Sequence, residues 1–154
     1  MNRLPSMLLA NVDIKLLTDS AKIPTRGTED AAGYDLYADT DAAITIHPHE
    51  TIKIPTGIAM ALPQGTFGAV FARSGLATKS GLRPANCVGV IDSDYRGEII
   101  VALHNDSEIP KMIEAKERIA QLVVLPYIAI KLNIVDSLGE TKRGEGGFGS
   151  TGTL

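Results

Sequence analysis

Asp92-Ser93-Asp94-Tyr95 sets two carboxylates and a phenol side by side, between apolar arms at 88–91 and 99–101. Such arms around Asp, Ser and Gly97 read as a hairpin or a tight strand-turn-strand. A carboxylate on so rigid a base can be aimed at a water or a proton. The plainer reading is an ordinary polar turn, because Asp and Ser favour turns for local reasons. Arg73-Ser74-Gly75 follows an apolar run and opens the one helical stretch the sequence suggests, at 75–79. A guanidinium beside unpaired backbone N–H groups suits an anion such as phosphate, while Ser74 equally suits a simple helix cap.

A third group lies in Arg143-Gly144-Glu145-Gly146-Gly147-Phe148-Gly149-Ser150-Thr151. Glycine N–H groups can approach phosphate oxygens closely, and an arginine can bind them bidentately. Ser150 and Thr151 add hydroxyl donors, and Phe148 could stack on a base. The same composition also describes a disordered end. Gly144-x-Gly146-x-x-Gly149 formally matches a dinucleotide fingerprint, but that motif opens a helix inside a βαβ unit. The sequence runs only to Leu154, so no such unit is expected.

The elements that must position these groups are short strands. Residues 12–17 alternate apolar and polar, and Ala32-Gly33-Tyr34-Asp35-Leu36-Tyr37-Ala38 carries one carboxylate in an apolar segment. Further strands are expected at 44–46, 51–54, 58–62, 67–72, 118–125 and 128–135, punctuated by Pro48, Pro55, Gly57, Pro63, Gly65 and Pro126. Ser74 would cap the helix and Gly81 would end it. Residues 22–31 read as a loop, and from Ser137 onward the composition cannot build a core. The expectation is an all-β sandwich, roll or barrel. It would form one domain over 1–154, with a mobile start at 1–11 and a C-terminal arm at 137–154.

Composition removes several function classes. With 15 basic and 18 acidic residues the net charge is −3, which gives no general attraction to nucleic acid or to an anionic membrane. No segment approaches a membrane span. Cys87 is the single cysteine, so no disulfide framework exists and a reducing, cytoplasmic setting is expected. It also lacks the Cys-x-x-Cys partner that a nucleobase-deaminase zinc site needs. His47 and His49 beside Glu50 lack a second ligand cluster and read as an exposed turn. No Gly-x-Ser-x-Gly elbow is present for acyl chemistry.

Each signal alone is weak, but their order is informative. Ala32-Gly33-Tyr34-Asp35-Leu36, Arg73-Ser74-Gly75-Leu76-Ala77, Gly89-Val90-Ile91-Asp92-Ser93-Asp94-Tyr95-Arg96-Gly97, Arg118-Ile119-Ala120-Gln121-Leu122 and the segment from Arg143 to Gly152 resemble the five ordered motifs of the trimeric deoxyuridine triphosphatase (dUTPase) family. The resemblance runs from about Val12 to the C-terminus.

The resemblance implies a jelly-roll-like, β-clip subunit with little helix, and a homotrimer whose active sites draw on more than one chain. It implies hydrolysis of dUTP to dUMP and pyrophosphate with Mg²⁺. Asp92 would then be the base that orients and deprotonates the water attacking the α-phosphorus, and would also contact the deoxyribose 3′-hydroxyl. Tyr95 would pack under the sugar and exclude a 2′-hydroxyl. Asn86 and the backbone of Val90 and Ile91 would bond the uracil edge, with Ile100 lining the slot. Arg73, Ser74 and Gly75 would hold phosphates, and Gln121 would touch the water and phosphate region. Asp35 would support the metal through water. Arg143, Gly149, Ser150 and Thr151 would close over the β- and γ-phosphates while Phe148 stacks on the uracil. A dCTP deaminase is similar in fold but resembles this chain less around Asp92-Ser93-Asp94-Tyr95, and its base glutamate has no evident counterpart here. A non-catalytic trimeric β-module is the rival from another class, and the presence of Asp35 and Asp92 beside an intact Gly-rich tail argues against it.

Overall fold

Short β-branched runs separated by Pro and Gly fold as antiparallel strands in the computed structural model, which describes residues 10–147. The largest sheet has five strands in the order β2 (Thr25–Arg26), β3 (Tyr34–Tyr37), β12 (Arg118–Pro126), β7 (Thr66–Phe71) and β9 (Gly89–Asp92). A second sheet sets β10 (Ile100–Asn105) between β5 (Thr51–Pro55) and β8 (Leu82–Pro84). Two pairs complete the framework: β1 (Asp13–Leu16) with β6 (Ile58–Ala61), and β4 (Ile44–Ile46) with β11 (Lys111–Ile113). The all-β expectation holds.

Alternation along the strands selects the core. On β10, Val101, Leu103 and Asn105 point inward while Ile100 and His104 point out. Val101 and Leu103 pack in one core with Ile54 and Leu82 of their own sheet and with Leu36, Ile46, Ile113 and Leu122 of the others. On β12 both Ile119 and Ala120 are buried, because the register against β3 shifts between Arg118 and Ala120. The buried Asn105 is fully engaged. Its Nδ2 donates to the Ile46 and Ile109 carbonyls, and its Oδ1 accepts from the Ser107 N–H and hydroxyl.

Asp39 forms a second polar hub. Its carboxylate accepts from Lys116, Thr18 and Ser20, tying the N-terminal segment to the turn before β12. Burial pushes the Asp39 carboxyl up, but the hydrogen bonds from Lys116, Thr18 and Ser20, with the charge of Lys116, outweigh it and hold the pKa at about 2.

Three expectations need correction. The arms around Asp92 are not a hairpin: β9 adds to β7, whereas β10 pairs with β5 and β8. The turn is tight, with the Tyr95 N–H donating to the Asp92 carbonyl, but the chain then crosses between sheets. Residues 128–135 form no strand and are exposed throughout, because the alternating Ile128, Ile130, Leu132 and Ile134 find no partner strand among the described residues. The helix is a single π-type turn at Leu76–Ser80 with Gly75 at its N-cap, so Ser74 is not the cap. Gly81, at φ 69°, does end it.

Candidate active site

β7 runs between two clusters of the residues singled out above. At its C-terminal end Gln121 stands opposite both Phe71 and Asp35, two residues before Arg73 in the case of Phe71. The Asp35 carboxylate accepts from Arg73 Nε at 2.9 Å and from Arg118 Nη1 at 3.1 Å. Arg73 also donates to the Arg118 carbonyl at 3.2 Å. Gln121 Nε2 donates to the Ala72 carbonyl at 2.9 Å, fixing the amide beside the arginines. Gly33 makes this possible, since a Cβ there would overlap Gln121 Oε1. One carboxylate against two guanidiniums leaves a net positive charge, which suits a phosphate chain. Arg118, half-exposed, was not among the residues singled out from the sequence. Its place before Gln121 in the fourth motif was the only available signal.

At the other end of β7, Phe67 stands opposite Asp92. β9 is an edge strand, so its outward backbone groups are not used by the sheet. Val90, Ile91, Asp92, Tyr95, Glu98 and Ile100 line a cleft of about 180 Å³. Asp92 also borders a wider, open cleft of about 690 Å³ with Ser93, Asp94 and Arg96. Its carboxylate is exposed and has no ion-pair or side-chain hydrogen-bond partner among the described residues. Val90 (61% exposed), Ile100 (48%) and Tyr95 (44%) leave an apolar rim around the smaller cleft. The Tyr95 hydroxyl donates to the Glu98 carbonyl at 3.0 Å, and Gly97 leaves room for that ring.

The structure thus brings Val90, Ile91, Asp92, Tyr95 and Ile100 together, and separately Asp35, Arg73 and Gln121. Ser74 and Gly75 are exposed beside Arg73. Asn86 lies on the turn before β9, its amide close over Gly89, and does not line the cleft. Arg143 is exposed, and its Nε donates to the Gly146 carbonyl within its own turn. Phe148, Gly149, Ser150 and Thr151 lie outside the described residues. Phe67 and Phe71 are four residues apart on β7, so the two clusters are offset by about 13 Å along that strand and lie on opposite sides of it. Among the described residues no three His, Cys, Asp or Glu side chains group as a metal cage, and no helix is long and apolar enough to cross a membrane.

An all-antiparallel β subunit with this edge-strand cleft and this arginine cluster also has close matches among known proteins. The family model described as dUTPase matches residues 19–152. The deoxyuridine 5′-triphosphate nucleotidohydrolase of Desulfitobacterium hafniense (strain DSM 10664 / DCB-2) is 54% identical over 132 residues, covering 85% of this chain and 87% of that protein. The enzyme of the same name from Actinobacillus pleuropneumoniae serotype 5b (strain L20) is 42% identical over 149 residues, covering 94% and 99%. Among solved structures, the dUTPase of Staphylococcus bacteriophage 80alpha with dUPNHPP superposes with a TM-score of 0.87 at 29% identity, covering 94% of this chain and all of that one. The chain belongs to the dUTPase family.

Proposed function

We propose that this chain hydrolyses dUTP to dUMP and pyrophosphate, by attack on the α-phosphorus of a water that Asp92 orients and deprotonates. The observation that carries the reading is the 180 Å³ cleft, walled by an open strand edge, an aromatic ring and a carboxylate, in a chain of this family. An edge strand offers N–H and C=O groups in fixed alternation, the pattern a pyrimidine edge can meet. Val90 and Ile91 would supply it, with Asn86 at the turn and Ile100 on the wall. Tyr95 would lie against the sugar.

Phosphoryl transfer is accelerated mainly by positioning and by neutralising charge. A carboxylate is a weak base at neutral pH, so Asp92 contributes chiefly by aiming the water. Arg73, with Ser74, Gly75 and Gln121, would hold the phosphates. The donor set fits Mg²⁺ carried by the triphosphate rather than an all-protein cage, since Mg²⁺ keeps several waters and favours phosphate oxygens. Asp35, engaged by Arg73 and Arg118, would support it through water. When bound, the metal would neutralise charge on the phosphate oxygens. Arg143, Gly149, Ser150 and Thr151 would close over the β- and γ-phosphates, Phe148 would stack on the base, and closure would exclude bulk water.

We infer a homotrimer with shared sites. In support, Asp92 and the arginine cluster are offset by about 13 Å along β7, so among the described residues no arginine-carboxylate cluster adjoins Asp92. The segment from Ile128 to Leu138 also carries apolar side chains 58–103% exposed, a pattern that asks for cover. The exposed thiol of Cys87 fits a cytoplasmic setting.

A nucleotide panel with Mg²⁺, scored for pyrophosphate, tests the reading. Strong preference for dUTP over dTTP, UTP and dCTP is expected. Equal release from all four, or none from dUTP, rejects it. Ammonia released from dCTP would instead indicate a deaminase.

A further inference from the structure

Glu98 is the one glutamate that lines the base-side cleft. Its position invites a role in proton chemistry, but its carboxylate is already committed. Glu98 Oε1 accepts from the Gly57 backbone N–H at 2.8 Å. The segment around it is fastened to the β5–β6 turn twice more: the Ile99 N–H donates to the Ile58 carbonyl at 2.9 Å, and the buried Thr56 hydroxyl donates to the Ile99 carbonyl. The Glu98 carbonyl, in turn, accepts from the Tyr95 hydroxyl.

The turn that receives these bonds is itself held rigidly. Gly57 sits at φ 68°, a conformation that side chains resist, and the Asp39 carboxylate occupies the space where a Cβ would go. Asp39 is anchored by Lys116, Thr18 and Ser20. A continuous set of contacts therefore runs from Lys116 through Asp39 and Gly57 to Glu98 and the Tyr95 ring.

We propose that Glu98 is a positioning residue for sugar discrimination, bracing the Tyr95 ring through its bond to Gly57 and taking no part in proton transfer. This rests on the reading of Tyr95 as the group that excludes a 2′-hydroxyl. The physical reason is leverage. Tyr95 is 44% exposed and belongs to a crossing segment between sheets, so burial alone does not fix its ring. A discriminating contact loses value when its support shifts by a fraction of an ångström.

The test measures kcat/KM for dUTP and for UTP in the full-length protein, alongside Tm. In Glu98→Ala the dUTP preference is expected to fall about 10- to 100-fold. In Glu98→Gln, whose amide oxygen can still accept the Gly57 N–H, it is expected to stay close to wild type. Unchanged discrimination in Glu98→Ala overturns the proposal. Equal loss in Glu98→Gln also overturns it, since the carboxylate itself would then be needed. Should Glu98→Ala fail to fold, Glu98→Met keeps the chain length but lacks the carboxylate oxygen that accepts the Gly57 N–H; relaxed discrimination supports the brace, and wild-type discrimination overturns it. Tyr95→Ala separates the two ideas. If it leaves UTP excluded, the sugar reading itself fails; if it admits UTP while Glu98→Ala does not, only the brace fails.

Discussion

The two ends of β7 are built on opposite plans. At the arginine end the charged and amide side chains are partnered within the chain: Asp35 with Arg73 and Arg118, Gln121 with the Ala72 carbonyl. At the cleft end the strand edge is open, the Asp92 carboxylate has no side-chain partner among the described residues, and Val90, Tyr95 and Ile100 show apolar surface. The first end is preorganised by the subunit itself. The second is rigid beneath, through Glu98 and Gly57, but unfinished above. Bonds within the chain thus fix the arginines in place, while the cleft end keeps its strand edge and carboxylate open to water, where a ligand can reach them.

The largest effect is expected where the cleft end meets the chemistry. Asp92→Asn keeps the shape and should retain dUTP binding while losing about 10²–10⁴ in turnover, measured as pyrophosphate release. Near-normal release would remove Asp92 from the role and leave the cleft as a binding surface only. Ending the chain before Arg143 should lower kcat about 10²-fold while thermal unfolding and oligomer size stay unchanged. Full activity of the shortened chain would mean that the cleft end needs no cover from the arm.

A smaller effect probes the scaffold between the ends. Because the Asp39 pKa is lowered to about 2 from 3.8, its contribution to stability is present above the unfolded value and is lost as pH falls from about 4 towards 2. Asp39→Asn should cost on the order of 1–3 kcal/mol at neutral pH and flatten that acid limb, as followed by chemical denaturation across pH. An unaltered acid limb would show that Asp39 does not govern it. The smallest effect is expected at the arginine end. Arg118 is half-exposed, so Arg118→Ala should weaken the cluster by only about 0.2–1 kcal/mol, read as a rise in KM of up to about 5-fold. A loss as large as that of Asp92→Asn would break the comparison, since the arginine end would then carry chemistry rather than placement.

Much of the fold was legible because alternation and punctuation are local. The strands at Asp13–Leu16, Ile44–Ile46, Thr51–Pro55 and Thr66–Phe71 follow from β-branched runs cut by Pro and Gly. The pieces Leu82–Pro84 and Lys111–Ile113 were not legible. They are three residues long and pair with β10 and β4 across the fold. The segment at 128–135 misled for the same reason in reverse: its alternation is that of a strand, and among the described residues no strand receives it. In the candidate site the residue types of Asp92, Tyr95, Arg73 and Gln121 were readable from their motifs, whereas Arg118 and Glu98 were passed over because their partners are remote.

The sequence by itself determined which groups are available and in what order: a carboxylate and a phenol at one turn, an arginine after one strand, a run of glycines from Gly144 to Gly152. It also determined an all-β fold, since short alternating runs must bury their apolar faces and the sequence offers no long helical stretch to cover them. Tertiary structure alone decided that the arms around Asp92 enter different sheets, that Asp35 serves two arginines, and that Glu98 is tied to Gly57. Those bonds join residues 38, 83 and 41 positions apart. Local propensity says nothing about contacts at such separations, where the packing of sheets sets which groups meet.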